Sequence, residues 1–365
     1  MNEKILIIGG NWDLEGGRPS GFVRKFKDEM SKYTNNITYY NGGNYNDVES
    51  ILNTANEYNV VFWFLHVDNS LPKVRDIKKI NPHIIYVGSK RNDDNKYSFV
   101  EVLNRTLMER HNLTIQFSKE GDIFKTMLFD PLGTMWYKGT DISKLVEFAY
   151  KRVSFLLAMR RDHTYNTNQE NTVPKNDEFI KYVHEAADIF HETIEHTEGV
   201  TRFMGNASFR GKDGKIYVSK RDADKSQINS DNFVTCYLKN NKLYYDGENK
   251  PSKDAVVQAH LYKLFPNINY IVHSHCYVEE AYFTTMPVPC GSLNEIDEIF
   301  EVIKKHYGDR YDLPFYKINY LGHGCLLLAR DIEDLKRTKF VKRHLPERLP
   351  AADIFLDKGM QLIKE

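Results

Sequence analysis

KPSKDAVVQAHLYKLFPNINYIVHSH, residues 250–275, joins two signals. The first part, about 253–265, has helical spacing of apolar residues; Pro266-Asn267 then breaks it, and NYIVHSH is an apolar, β-branched run of strand type. In a strand, residues i and i+2 project from one face. His273 and His275 can therefore point at one ion while Ser274 points away. Neutral imidazole is a ligand for zinc and similar metals, and a catalytic site commonly uses three protein ligands and keeps a position open. The best third candidate is His323 in YLGHGCLLLA, beside another apolar run, where the flanking glycines permit a tight bend. On spacing alone an H-x-H pair is equally compatible with an edge strand that holds no metal, and a Gly-His-Gly by itself says less.

The rest of the chain bounds the answer. With 365 residues there is room for two cores. Lys plus Arg number 50 and Asp plus Glu number 50, a balance that argues against a nucleic-acid partner, whose phosphates call for a basic surface. No apolar run is long enough to cross a bilayer, and MNEKILIIGG leads into a strand without a signal-peptide pattern, so no membrane partner is expected. Cys236, Cys276, Cys290 and Cys325 are scattered without a C-x-x-C pair, which reads as reduced thiols in a cytoplasmic protein.

Up to residue 162 strand-like and helix-like runs alternate: KILIIGG (4–10), GFVRKFKDEMSKY (21–33), ITYYNGG (37–43), NDVESILNTANEY (46–58), NVVFWFLHV (59–67), then KVRDIKKI and HIIYVGS. This alternation predicts a doubly wound, mostly parallel sheet of Rossmann or flavodoxin type. Residues 113–138 read as hairpin strands, with DPLGTMWYKG (130–139) a tight turn and an aromatic tail packing back, and 141–162 as a long amphipathic helix. The polar, Asn/Thr-rich stretch 163–176 is the expected linker, and 177–365 a second α/β domain that opens with a helix over 177–198. In that helix His184 and His191 share a face and His196 does not, so no second metal site is expected there. The glycines of IIGGNWDLEGGRPSG (7–21) follow a strand and precede a helix, as suits an anion or nucleotide, but they fit neither G-x-G-x-x-G nor the P-loop; a strand-to-helix turn serving folding explains them equally.

Residues 180–340 resemble the class II aldolase/adducin family. The resemblance rests on an ordered series: GNASFR (205–210), YVSKRDADKSQINSDNFV (217–234), KPSKDAVVQAHLYKLFPNINYIVHSH (250–275) and GHG (322–324). It implies an α/β fold with a central antiparallel sheet, a divalent metal, usually Zn2+, held by His273, His275 and His323, and commonly a homotetramer with sites at subunit interfaces. It implies a lyase acting on small phosphorylated sugars by stabilising a metal-bound enediolate; epimerases, dehydratases and non-catalytic adducin-like interaction proteins share the fold. Asp254 stands where family aldolases carry an acid/base glutamate, and can ligate the ion, move a proton, or cap its helix. Asn206 and Ser252 fall at the family's phosphate contacts. Lys220-Arg221-Asp222 replaces a small Ser/Thr-Gly turn, so Arg221 with Lys220 can clamp phosphate or carboxylate, fill that site, or remain solvated. Only CYVEEAYFTTMPV separates His275 from Pro289-Cys290, shorter than in the epimerase branch, and no tyrosine follows Tyr320. These departures leave the choice among aldol cleavage, epimerisation and dehydration open.

Overall fold

The computed structural model describes residues 3–66, 81, 83–131, 133–159, 164–192, 205–221, 223–285, 291, 293–321 and 323–341. The chain divides into two compact units, Met1–Arg160 and Arg161–Ala351.

The first unit is built on a seven-stranded sheet, β2-β1-β3-β4-β5-β6-β7. Its strands are β1 (Ile5–Asp13), β2 (Ile37–Asn44), β3 (Val60–His66), β4 (Ile85–Arg91), β5 (Leu113–Glu120), β6 (Ile123–Phe129) and β7 (Met135–Gly139). The first five are parallel, and β5-β6-β7 form the expected antiparallel hairpins. Helices α1 (Gly21–Met30), α2 (Tyr45–Asn53), α3 (Phe99–Met108) and α4 (Ile142–Met159) accompany it. The apolar runs are continuous because both faces are covered. Phe22 and Phe26 of α1 pack on Phe62 and Phe64 of β3, while Leu6, Ile8 and Trp63 face the core that Val48, Ile51 and Leu52 of α2 complete. Asn44 caps α2, accepting from the Asn46 amide. The run KVRDIKKI lies outside the described residues.

Two of the N-terminal glycines, Gly10 and Gly17, lie against neighbouring backbone. A Cβ on Gly10, whose φ is +80°, would lie 2.5 Å from the Gly42 nitrogen. The loop after β1 folds back through Asn11 N to Arg18 O (2.8 Å) and Gly17 N to Gly43 O (2.9 Å). The 130–139 turn is held by Asp130, which accepts from Thr134 N (3.1 Å) and from the indole N–H of buried Trp136 (3.1 Å). Arg152 of α4 lies over that indole, 3.8 Å from the ring centre, and burial lowers its pKa to about 10 against the opposing pull of Asp130.

The second unit has a nine-stranded sheet, β15-β16-β17-β13-β9-β10-β11-β12-β8, antiparallel except at its two edge pairs. The strands are β8 (Thr164–Asn166), β9 (Asn206–Arg210), β10 (Ile216–Ser219), β11 (Phe233–Lys239), β12 (Lys242–Tyr245), β13 (Tyr270–Ser274), β15 (Tyr282–Phe283), β16 (Phe315–Tyr320) and β17 (Gly324–Ala329); β14 (Tyr277–Val278) and β18 (Phe340–Val341) pair apart from it. Its helices are α5 (Asp177–Glu192), α6 (Ala255–Leu264), α7 (Asn294–His306) and α8 (Ile332–Lys336). One face buries Ile271, Leu326 and Leu328 with residues of α6 and α7; the other buries Val272, Phe209 and Leu327 with Phe179 and Val183 of α5 and Leu335 of α8. The expected α/β architecture, parallel first and centrally antiparallel second, is thus observed.

Within the expected linker stretch, residues 164–176 carry local order. Thr164–Asn166 adds the edge strand β8 alongside β12. Asn171 then uses its side chain as a strand would, donating to Phe233 O (2.8 Å) and accepting from Thr235 N (2.9 Å). Asn166 likewise donates to Gly247 O (2.9 Å), so part of this polarity satisfies neighbouring backbone, a role that composition cannot separate from solvation.

Candidate metal centre

His273 is the penultimate residue of β13, His275 follows that strand's end, and His323 immediately precedes β17. Their rings converge: centroids lie 5.1 Å apart for His273–His275, 4.8 Å for His273–His323 and 4.9 Å for His275–His323. One ligating atom from each falls within 4.8 Å of the others, and all three are buried, at 3%, 7% and 2% exposure. Gly324 permits this. A Cβ there would lie 2.0 Å from Ser274 O and 2.6 Å from the His275 Cα, so any other residue would push β17 off the end of β13 and take His323 with it. Gly322 lies outside the described residues.

The tautomer of His273 follows from its neighbour. Its Nδ1 lies 2.8 Å from the Cys325 carbonyl oxygen, an acceptor only, so Nδ1 carries the proton and donates. The lone pair is then on Nε2, as metal-ligating histidines are commonly arranged. Cys325 itself offers no thiolate: burial, with Cys276 adjacent, raises its pKa, and a neutral thiol is a poor metal ligand.

Asn206 of β9 pairs in register with His273 of β13, so the two side chains share the α6 face. Asn206 donates from Nδ2 to Asp254 Oδ2, and Gln258 donates from Nε2 to Asn206 Oδ1. Asp254 is 8% exposed and stands at the N-cap of α6, yet makes no side-chain capping bond. Its carboxylate serves Asn206 instead of the helix.

The other expected site residues come together beside it. Lys220 forms a bridge with Pro251, Arg221 N donates to Lys250 O (2.9 Å), and Ser252 N donates to Ser219 O (3.0 Å). The turn at 219–221 thus runs antiparallel to 250–252. The Ser252 hydroxyl accepts from Asp254 N (3.4 Å) and turns the chain into α6. The Nε of Arg221 is buried. Glu279 and Glu280 are exposed, with Glu280 3.4 Å from Lys317. His184 is exposed; the side chains of His191 and His196 lie outside the described residues, as do Asp222, Pro289 and Cys290. Gln258 was not singled out by sequence reading. Its only signal is i,i+4 spacing from Asp254, which puts both on one face of α6.

Residues 185–309 match the family described as Class II Aldolase and Adducin N-terminal domain, which bears out the family expectation for that part of the C-terminal half. The methylthioribulose-1-phosphate dehydratase of Picosynechococcus sp. (strain ATCC 27264 / PCC 7002 / PR-6) is 32% identical over 81 residues, 22% of this chain and 38% of that protein. The chain therefore spans well under half the length of this curated relative. Among solved structures, the L-fuculose-1-phosphate aldolase from Thermus thermophilus aligns over 50% of this chain and 95% of its own, with 16% identity and a TM-score of 0.30. The DNA/pantothenate metabolism flavoprotein from Streptococcus pneumoniae aligns over 42% of this chain and 99% of its own, with 11% identity and a TM-score of 0.35.

Proposed function

We propose that the chain is a metal-dependent carbon–carbon lyase acting through its second unit on a small phosphorylated sugar. The observation that carries this reading is the convergence of the buried His273, His275 and His323. Three neutral imidazoles suit Zn2+, which we take as the resident ion. When bound, a divalent ion supplies Lewis-acid stabilisation of the negative charge that develops on the substrate's carbonyl and adjacent hydroxyl oxygens.

The chain's own residues do the rest. Asp254 takes or returns the proton, and its bond from Asn206 holds the carboxylate in place. An amide nitrogen carries two N–H groups, so Asn206 retains one for the substrate after serving Asp254. Lys220, Arg221 and Ser252, gathered on the paired segments 219–221 and 250–252, bind the phosphate, with Arg221 as the clamp.

Dehydration is the second reading, favoured by the short match to a methylthioribulose-1-phosphate dehydratase. Both would break a bond at the carbon next to the substrate carbonyl, where an ion held by His273, His275 and His323 would stabilise the developing charge, and epimerisation would draw on the same ligands. The family likeness also supports a homotetramer, and the free thiols of Cys236, Cys276 and Cys325 suit a cytoplasmic setting. For the first unit we propose a small phosphorylated ligand where its strand order reverses, outside the C-terminal ends of β1 and β3. The deciding experiment measures bound metal and turnover of ketose 1-phosphates, scoring cleavage and dehydration products separately. One metal per chain and turnover lost on chelation are expected. Full turnover by metal-free protein would sink the reading, and a metal-free chain without turnover would favour an adducin-like interaction protein.

A further inference from the structure

Asp254, Asn206 and Gln258 form a chain whose polarity is dictated from one end. An ionised carboxylate only accepts, so Asn206 must present its NH2 to Asp254. Its Oδ1 then faces Gln258, which must present its own NH2. Gln258 is left with Oε1, buried and without a partner among the described residues, on a side chain 1% exposed. An unpaired buried acceptor is unfavourable, and an apolar side chain of the same length would avoid it. The amide is therefore explained by what its N–H does.

We propose that Gln258 is a positioning residue: its donated N–H locks the Asn206 carboxamide in the orientation that gives Asp254 a hydrogen bond. The proposal rests on the lyase reading for its functional consequence. With Oδ1 committed to Gln258, Asn206 cannot turn its oxygen toward the carboxylate. Asp254 is thereby held beside Asn206, the register partner of His273.

The test uses full-length holoenzyme and Gln258→Met, Gln258→Glu and Gln258→His. Met keeps the length and removes the donor; ionised Glu turns the contact with Oδ1 into repulsion; His returns a ring N–H. With 15N-asparagine labelling, the wild-type Asn206 side chain, assigned by its loss in Asn206→Ser, shows one downfield, exchange-protected proton. In Gln258→Met that exchange speeds up by up to about tenfold, the worth of one hydrogen bond. Turnover of the ketose 1-phosphate falls by about tenfold or more through kcat, with KM and metal content unchanged. Gln258→Glu falls at least as far, and Gln258→His recovers part of the loss. An unchanged Asn206 exchange rate in Gln258→Met, or a wild-type kcat in that variant, overturns the proposal. If the wild-type protein turns over no sugar phosphate, the lyase reading fails, and the exchange measurement still decides whether Gln258 orients Asn206.

Discussion

The ring Nδ1 of His273 sits 2.8 Å from the main-chain carbonyl oxygen of Cys325, on the strand that begins one residue after His323. One contact thus sets a tautomer and links His273 to the strand that follows His323. His273→Ala, His275→Ala or His323→Ala should each abolish stoichiometric metal binding and turnover together. Metal analysis by mass spectrometry alongside the product assay checks this. A variant that keeps full activity without metal would contradict it.

Asp254 should matter more to turnover than to folding. Asp254→Ala leaves the buried Asn206 N–H without this acceptor, a loss of about 1–3 kcal/mol. Removing a positioned acid/base lowers kcat by about 10²- to 10⁴-fold. Asp254→Asn separates the effects, since its amide oxygen still accepts from Asn206 but cannot take up a proton. Denaturant melts close to wild type with kcat as low as in Asp254→Ala are the expected result.

In the first unit, Gly88 has no room for a side chain. A Cβ there would lie 1.9 Å from the His111 ring, which is held between Thr114 Oγ1 (2.7 Å) and Glu109 Oε2 (2.8 Å). Gly88→Ala should destabilise this unit by about 1–3 kcal/mol from overpacking, plus about 1 kcal/mol for each hydrogen bond that His111 gives up. Hydrogen exchange at β4 and β5 amides should report it, with β13 and β17 unaffected.

The same histidine gives that unit an acid limb. Burial works to raise the Glu109 pKa, but the hydrogen bond and charge of His111, with Arg105, outweigh it and leave the carboxyl below its ordinary value of 4.5. A depressed carboxyl contributes stability that is present above its unfolded pKa and lost as pH falls through the folded value. Stability of the first unit should therefore decline as pH drops below about 4.5, the unfolded reference. Glu109→Gln should flatten that decline, as followed by exchange at β4 and β5.

Much of this was legible without coordinates because it follows from local periodicity. NVVFWFLHV reads as a doubly buried strand since every position is apolar, and NYIVHSH places two histidines on one face by its period of two. The Asn/Thr-rich stretch after residue 162 shows the converse, because composition cannot tell a side chain that bonds a neighbouring strand's backbone, as Asn171 does, from one that faces water. Gly10 is open to two explanations in the sequence, a ligand loop or a turn serving folding, and the tertiary structure adds the close approach of Gly42.

The sequence by itself determined most of the elements, the alternation behind the first unit's parallel sheet, and the residues able to hold a metal, since these depend on side-chain type and short-range spacing; the antiparallel second sheet was implied by the family resemblance. Only the tertiary structure decided that Gly324 brings His323 against His275, that Asp254 bonds Asn206 instead of capping its helix, and that Gln258 stands behind both. Those relationships span tens of residues along the chain, and pairing across a sheet or from helix to strand leaves no periodic trace in either partner.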